Sequence, residues 1–456
     1  MNRLLWIFIS VLCITAMFFA GSDSVYFSNK VFFTSCIIQI ISIYNIFSRE
    51  NEPYSLEKMF YLFSLFFFGV APLLQLFDNS KFWYYRPLRE EEFFFLNILI
   101  ICILILYKIV YGIFRKTIKV PRIEKKLNSF KVTDKINFLN SLILIGLSSL
   151  SFLLVFASNN FNIFPMLVRG GELVADAMKN VEIDESPTKW LIVNNFIRPI
   201  SIMCFLYYAI SKEKNKFVFT VLGLLALITC FPAAVPRFAA AAMYIPVMLV
   251  LISFVRKKNV FSLIFIGGLL FLFPFLNIFR NFGNPDEEKF KLDFKMFTEP
   301  HFDTYQNFAL LLSNDIITYG RQLLGVFLFW VPRSVWPDKP MGTGAFTAEK
   351  MNFFFSNVAA NYFAEGYVNF GYLGIILFLI FLAYQTALVD KIYWGTKRTT
   401  TGDFFSVLYA ISLGFLFFIL RGDLLSSVAY MFGFLFAAIF VYRITTFRIK
   451  FINNEK

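Results

Sequence analysis

Six arginines and three proton-accepting side chains are the residues of this chain best suited to chemistry. Arg333 stands in Phe329-Trp-Val-Pro-Arg-Ser-Val-Trp-Pro-Asp-Lys-Pro340, and Arg237 in Pro232-Ala-Ala-Val-Pro-Arg-Phe238. Arg198 precedes Pro199, Arg169 opens Arg169-Gly-Gly171, and Arg280 and Arg321 lie within 280–371. A guanidinium is always charged, weakly hydrated, and forked to match phosphate oxygens. Near a bilayer it is costly and is placed for a reason. Prolines fix the backbone beside Arg198, Arg237 and Arg333. His301, the only histidine, joins Asp303 and Glu365 as a candidate general base. Each has a plainer use. An arginine can snorkel or pair with an acid, His301 can be a hydrogen-bonded loop residue, and Glu365 can stabilise the start of its helix.

Metal and cofactor chemistry is not expected. Glu90-Glu-Glu92 and Asp286-Glu-Glu288 are acid runs on loops, and the first outer loop has only Asp23. There is no GxGxxG, P-loop or HExxH pattern. The five cysteines are scattered through apolar segments, with neither a disulfide framework nor ligand spacing. Arg421-Gly-Asp423 reads as a short outer turn.

The elements that must position these residues are membrane helices. The chain is 58% hydrophobic and 20% aromatic, which excludes an ordinary soluble domain. Apolar runs predict twelve spans, roughly 4–20, 31–47, 59–77, 93–114, 136–157, 191–210, 217–231, 238–255, 260–279, 372–389, 404–420 and 428–443. The first has a signal-peptide shape but lacks a small-residue cleavage site, so it reads as an uncleaved anchor. With the N-terminus inside, the inner segments carry a net +15 and the outer segments a net −4. This positive-inside pattern accounts for the overall +13, so no nucleic-acid partner is expected. Both termini are expected in the cytoplasm.

The whole chain, 1–456, reads as one integral membrane domain. Two outer loops are long, 158–190 and 280–371, and the aromatic segment 78–92 reads as an interfacial belt. The 280–371 loop is too aromatic for disorder. Phe302, Tyr305, Phe308, Leu312 and Ile316 share one helical face. Leu323–Val331 is apolar but only nine residues long, so it reads as re-entrant or interfacial.

The run 329–340 resembles the loop signature of Wzy-type O-antigen and repeat-unit polymerases. So does Ala364-Glu-Gly-Tyr-Val-Asn-Phe-Gly-Tyr-Leu-Gly374. The topology of many spans with a large outer loop in the C-terminal half extends the likeness along the chain. Arg333 and Gly344 reproduce the family's spacing of Arg, ten residues, Gly; Arg169 has Asn180 where a second copy would place Gly. The resemblance implies an all-α, GT-C-like glycosyltransferase of the bacterial inner membrane, with a large periplasmic loop containing short helices. Its implied reaction is inverting, metal-independent transfer of a glycan from undecaprenyl pyrophosphate to a lipid-linked oligosaccharide repeat unit. In this reading Arg333, Arg237, Arg169, Arg198, Arg280 and Arg321 bind pyrophosphate, and Glu365, His301 or Asp303 takes the acceptor proton. Membrane lipid, a chain-length regulator and a flippase of the same pathway are the implied partners. An O-antigen ligase shares the donor but uses lipid A-core as acceptor. A flippase or transporter of lipid-linked oligosaccharide would need a polar central cavity, and a structural subunit of the assembly machinery would need no site.

Overall fold

The structure, a computed structural model, describes residues 27–49, 51–83, 85–119, 132, 136–167, 191–272, 294–395 and 402–453. Its described residues form helices and no strand. Seven helices are long and apolar enough to cross a membrane. They are α1 (Asn29–Ser48), α2 (Leu56–Phe77), α3 (Glu90–Thr117), α4 (Phe138–Ser158), α12 (Tyr362–Gly395), α13 (Phe404–Arg421) and α14 (Leu424–Asn453, apolar to Thr446). Between α4 and α12 lie shorter helices. A π turn, Val193–Ile197, runs into α5 (Arg198–Ala209), followed by α6 (Lys216–Thr229), α7 (Arg237–Leu251) and α8 (Val260–Gly267). The span expected at 217–231 is a 14-residue helix, α6. At 1.5 Å per residue that is about 21 Å, short of the ~30 Å hydrocarbon core. The expected span 4–20 lies outside the described residues.

Two apolar cores share α13. One groups α13 with α1, α2, α3 and α12, and the other groups it with α4, α5, α6, α7 and α14; α13 itself packs chiefly on α7, α2, α14 and α12. Among the described residues between α8 and α12 are three short α-helices, α9 (Thr304–Ser313), α10 (Arg321–Phe327) and α11 (Thr343–Lys350). Phe302, Tyr305, Phe308 and Leu312 are buried as their spacing predicts, and Ile316 packs partly buried just beyond α9.

Each end of α12 carries a buried carboxylate that receives the start of a neighbouring helix. At one end, Asp390 accepts the Leu56 and Glu57 amides of α2 at 2.9 and 3.1 Å, plus the hydroxyls of Tyr111 and Tyr409. Ser55 accepts the next amide, Lys58 N–H, so the first turn of α2 has partners. Around it, Glu57 pairs with Arg49 and Lys108, each at 2.7 Å, and Arg115 pairs with Glu52.

Lys58 sits within this group with its ammonium buried and no hydrogen-bond partner. A buried polar group in that state costs about 1–3 kcal/mol. Lys58→Met keeps the apolar stem and removes that cost, so it is expected to raise the thermal midpoint in detergent. A lowered midpoint would show that Lys58 holds the cluster together.

Candidate functional site

At the opposite end of α12, four helices begin close together: α9 at Thr304, α11 at Thr343, α12 at Tyr362 and α14 at Leu424. The start of a helix leaves amides without intrahelical partners and carries the positive end of its dipole. Buried carboxylates answer them. Glu365 accepts the Leu424 amide of α14 through Oε1 at 2.7 Å and the Thr343 hydroxyl through Oε2 at 2.7 Å. Asp423 accepts Ser426 N–H at 2.9 Å. Asn361 caps its own helix, accepting the amides of Phe363 and Ala364, and donates to the Thr304 carbonyl at 3.1 Å. Arg421, ending α13, donates from Nε to the His301 carbonyl at 3.0 Å, and its own carbonyl accepts from Thr304. The Arg421–Asp423 turn thus joins α9, α12, α13 and α14.

Asp303 occupies the N-cap position of α9 without capping it. Its Oδ2 instead accepts three donors: Asn307 Nδ2 at 3.0 Å, the Ala359 amide at 3.2 Å and Trp83 Nε1 at 3.2 Å. Its Oδ1 accepts none, although the side chain is buried. Burial pushes the carboxyl up to about 6, against the opposing charge of Arg421 and these hydrogen bonds. A carboxylate with a free oxygen and a proton affinity near neutrality suits general-base work. Glu365 suits it less well, because both its oxygens already hold donors. His301 is half-buried and reaches Arg421 through its carbonyl.

Arg321 opens α10 and Arg333 lies on the loop between α10 and α11, both outside the buried hub. Both are exposed. Arg333 donates to the carbonyls of Lys339 at 2.7 Å and Pro340 at 3.5 Å, and Arg321 to that of Asp338 at 3.3 Å. Lys339 reaches back to the carbonyls of Phe329 and Val331. Burial and the nearby Arg333 both lower its proton affinity. The braced turn leads directly into Gly342-Thr343-Gly344. A Cβ on Gly342 would lie 2.7 Å from Asp423 Oδ1, and one on Gly344 would lie 1.9 Å from the Val358 carbonyl oxygen. The Gly344 obstacle is backbone, so only glycine fits there, and the Arg333–Gly344 spacing joins a braced turn to that close approach.

Of the other predicted site residues, only Arg198 has a described side chain. Arg198 is buried at the start of α5, where its carbonyl accepts the Cys230 thiol. Arg237 opens α7, and its side chain lies outside the description. Arg169 and Arg280 lie outside the described residues. The hub also contains residues that the sequence did not mark as functional: Trp83, Asn307, Thr343, Asn361 and Asp423. Asn307 had a local signal, lying four residues after Asp303 on one helical face. Arg421 carried only its place in a short outer turn.

A cavity of about 430 Å³ opens near α9, lined by Ser28, Gln75, Ser80, Arg89 and Glu90 among others. Gln75 and the Ser80 carbonyl both contact Gln306 of α9. That volume is within the range of small-molecule sites. Among the described residues no three His, Cys, Asp or Glu side chains gather as a metal ion would require.

Comparison of the chain with family profiles, curated proteins and solved structures gave no match.

Proposed function

We propose that the protein is a polysaccharide polymerase of the bacterial inner membrane, with both termini cytoplasmic and the Asp303 hub at the periplasmic face. It joins undecaprenyl-pyrophosphate-linked oligosaccharide repeat units by inverting glycosyl transfer. The buried Asp303, with one oxygen free and Arg421 nearby, is the observation that carries this reading. Asp303 takes the proton of the acceptor hydroxyl as that oxygen attacks the anomeric carbon of the donor. The bond from that carbon to the pyrophosphate oxygen breaks, and the electron pair leaves with polyprenyl pyrophosphate. Arg333 and Arg321 stabilise the charge gathering on the leaving group. Thr343 and Glu365 hold the loop that carries them.

Two measurements test the proposal. Deleting the gene should leave the surface glycan as core plus a single repeat unit. Bare core with lipid-linked polymer accumulating would instead make the protein a ligase, and bare core without polymer would make it a flippase. The purified protein should polymerise lipid-linked repeat units in EDTA, and activity abolished by EDTA and restored by Mg²⁺ would end the metal-independent mechanism.

In the same assay Arg333→Ala and Arg333→Lys are both expected to lose about 10²–10³ in rate. Lysine lacks the planar fork needed to brace the turn and meet a phosphate together. Lys350→Ala removes a cation lying 5.7 Å from the Phe346 ring and should be nearly silent. Full-length polymer from a stably accumulating Arg333→Ala protein would remove Arg333 from the site.

A further inference from the structure

The segment 319–336 turns large apolar side chains outward. Phe327 and Trp330 are each 69% exposed, and Tyr319, Leu324 and Val335 are exposed beside them. In a segment facing water these side chains would form an unfavourable apolar patch.

The backbone here is unlike that of an ordinary surface loop. Within the segment, Lys339 occupies the carbonyls of Phe329 and Val331; just beyond it, Arg321 and Arg333 brace the turn at the carbonyls of Asp338, Lys339 and Pro340. The amides of Val331, Val335, Trp336 and Lys339 occupy the carbonyls of Leu328, Pro332 and Trp336. A loop in water has no need of internal partners for so many carbonyls, whereas one at the edge of hydrocarbon does.

Position agrees with this. The amides of Thr318 and Gly320 donate to the carbonyls of Val368 and Asn369, and the Leu323 amide donates to the Asn369 side chain. Gly320, at φ +88°, makes the turn against the Phe370 ring. The segment is therefore pinned at the Phe370–Gly371 kink of α12. Immediately past that kink, α12 exposes Tyr372, Leu373, Ile376 and Leu377 along a spanning helix. On the other side, the Phe329 ring lies 5.6 Å from Phe432 of α14. Phe432 and Phe436, one turn apart, are themselves exposed. The outward rings thus continue the lipid-facing flanks of two spanning helices.

We propose that residues 319–336 are a monotopic foot, inserting Leu324, Phe327, Trp330 and Val335 into the phospholipid leaflet at this end of the bundle. Its occupant is bilayer lipid, with the acyl boundary around the rings and headgroup phosphates at Arg321 and Arg333. The inference needs only the membrane fold and stands whether or not the polymerase reading holds.

Spin labels at positions 327, 330 and 335, on a background lacking the native cysteines and reconstituted in phosphatidylcholine nanodiscs, test it. Collisions with oxygen should exceed those with a water-soluble nickel complex at all three positions, and the ratio should fall several-fold at position 338. Nickel dominance at 327 and 330 would overturn the proposal. Shielding from both reagents would also overturn it, since protein would then cover the patch. A second measurement avoids the cysteine background. In the otherwise native protein, lipid brominated near the headgroup should quench tryptophan emission less in Trp330→Phe than in wild type. Equal quenching, with the Trp330 share quenched by iodide instead, would place the ring in water.

Discussion

Asp303→Asn is expected to abolish glycosyl transfer while leaving the protein at least as stable at neutral pH. The amide keeps an oxygen for Trp83, Asn307 and Ala359 but can no longer accept a proton. Loss of a general base typically costs about 10²–10⁴ in rate. The stability expectation follows from the sign of the shift. The folded state raises this carboxyl from 3.8 to about 6, so between those values the native protein holds a proton that the unfolded chain has released. The stabilisation is complete below 3.8 and is lost as pH rises through about 6. A shift of this size is on the order of 3 kcal/mol. Wild-type protein should therefore gain stability from this group when taken from pH 7.5 to pH 5, and Asp303→Asn should show a flatter profile. Thermal midpoints at both pH values, alongside the polymerisation assay, separate the roles. Normal polymer from the variant would exclude Asp303 as base. A variant less stable at both pH values would make Asp303 a structural acceptor.

The long helices were legible because an apolar run of twenty residues has few alternatives. α1, α2, α3, α4 and α13 fall where hydropathy puts them. The region between α4 and α12 was less legible, since its apolar runs include a 14-residue helix and π turns at Val193–Ile197 and Gly268–Leu272. Hydropathy counts side chains and does not register a change of helical hydrogen bonding.

The site was legible by residue type more than by role. Glu365 reads from sequence as an acid at the start of its own helix. It does serve a helix start, but that of α14, fifty-nine residues further along. Only the packing of α12 on the Arg421–Asp423 turn decides which helix it serves. The Arg333–Gly344 spacing was visible, whereas its cause, the Val358 carbonyl against Gly344, depends on the chain after α11 folding back over that helix's start. Arg421 reads as part of a turn until its contact with the His301 carbonyl, 120 residues away, is formed. These contacts join distant parts of the chain, and local periodicity carries no information about them.

A close backbone contact within α12 itself gives Gly374→Ala a large expected structural effect. Helix α12 breaks at Phe370 (φ −144°, ψ 22°) and Gly371 (φ +63°, ψ −148°). The second conformation is open to glycine and little else. The break brings the two parts of α12 together at their glycines. A Cβ on Gly374 would lie 1.9 Å from the Gly366 carbonyl oxygen, and one on Gly366 would lie 2.8 Å from that of Gly374. Both obstacles are backbone, so no rotamer change relieves them. Segment 362–370 would have to move, and Glu365 is the residue next to Gly366. Its 2.7 Å bonds to Leu424 N–H and to Thr343 would both lengthen. Overpacking costs about 1–3 kcal/mol and sometimes more. A lowered thermal midpoint together with loss of polymer is therefore expected. Gly112→Ala, in α3 with nothing within 4 Å of the added Cβ, is the matched control. It should be neutral or stabilising by up to about 1 kcal/mol, the helix preference of Ala over Gly. If Gly374→Ala matched this control in both midpoint and polymer, the close crossing would not be what holds Glu365 in the hub.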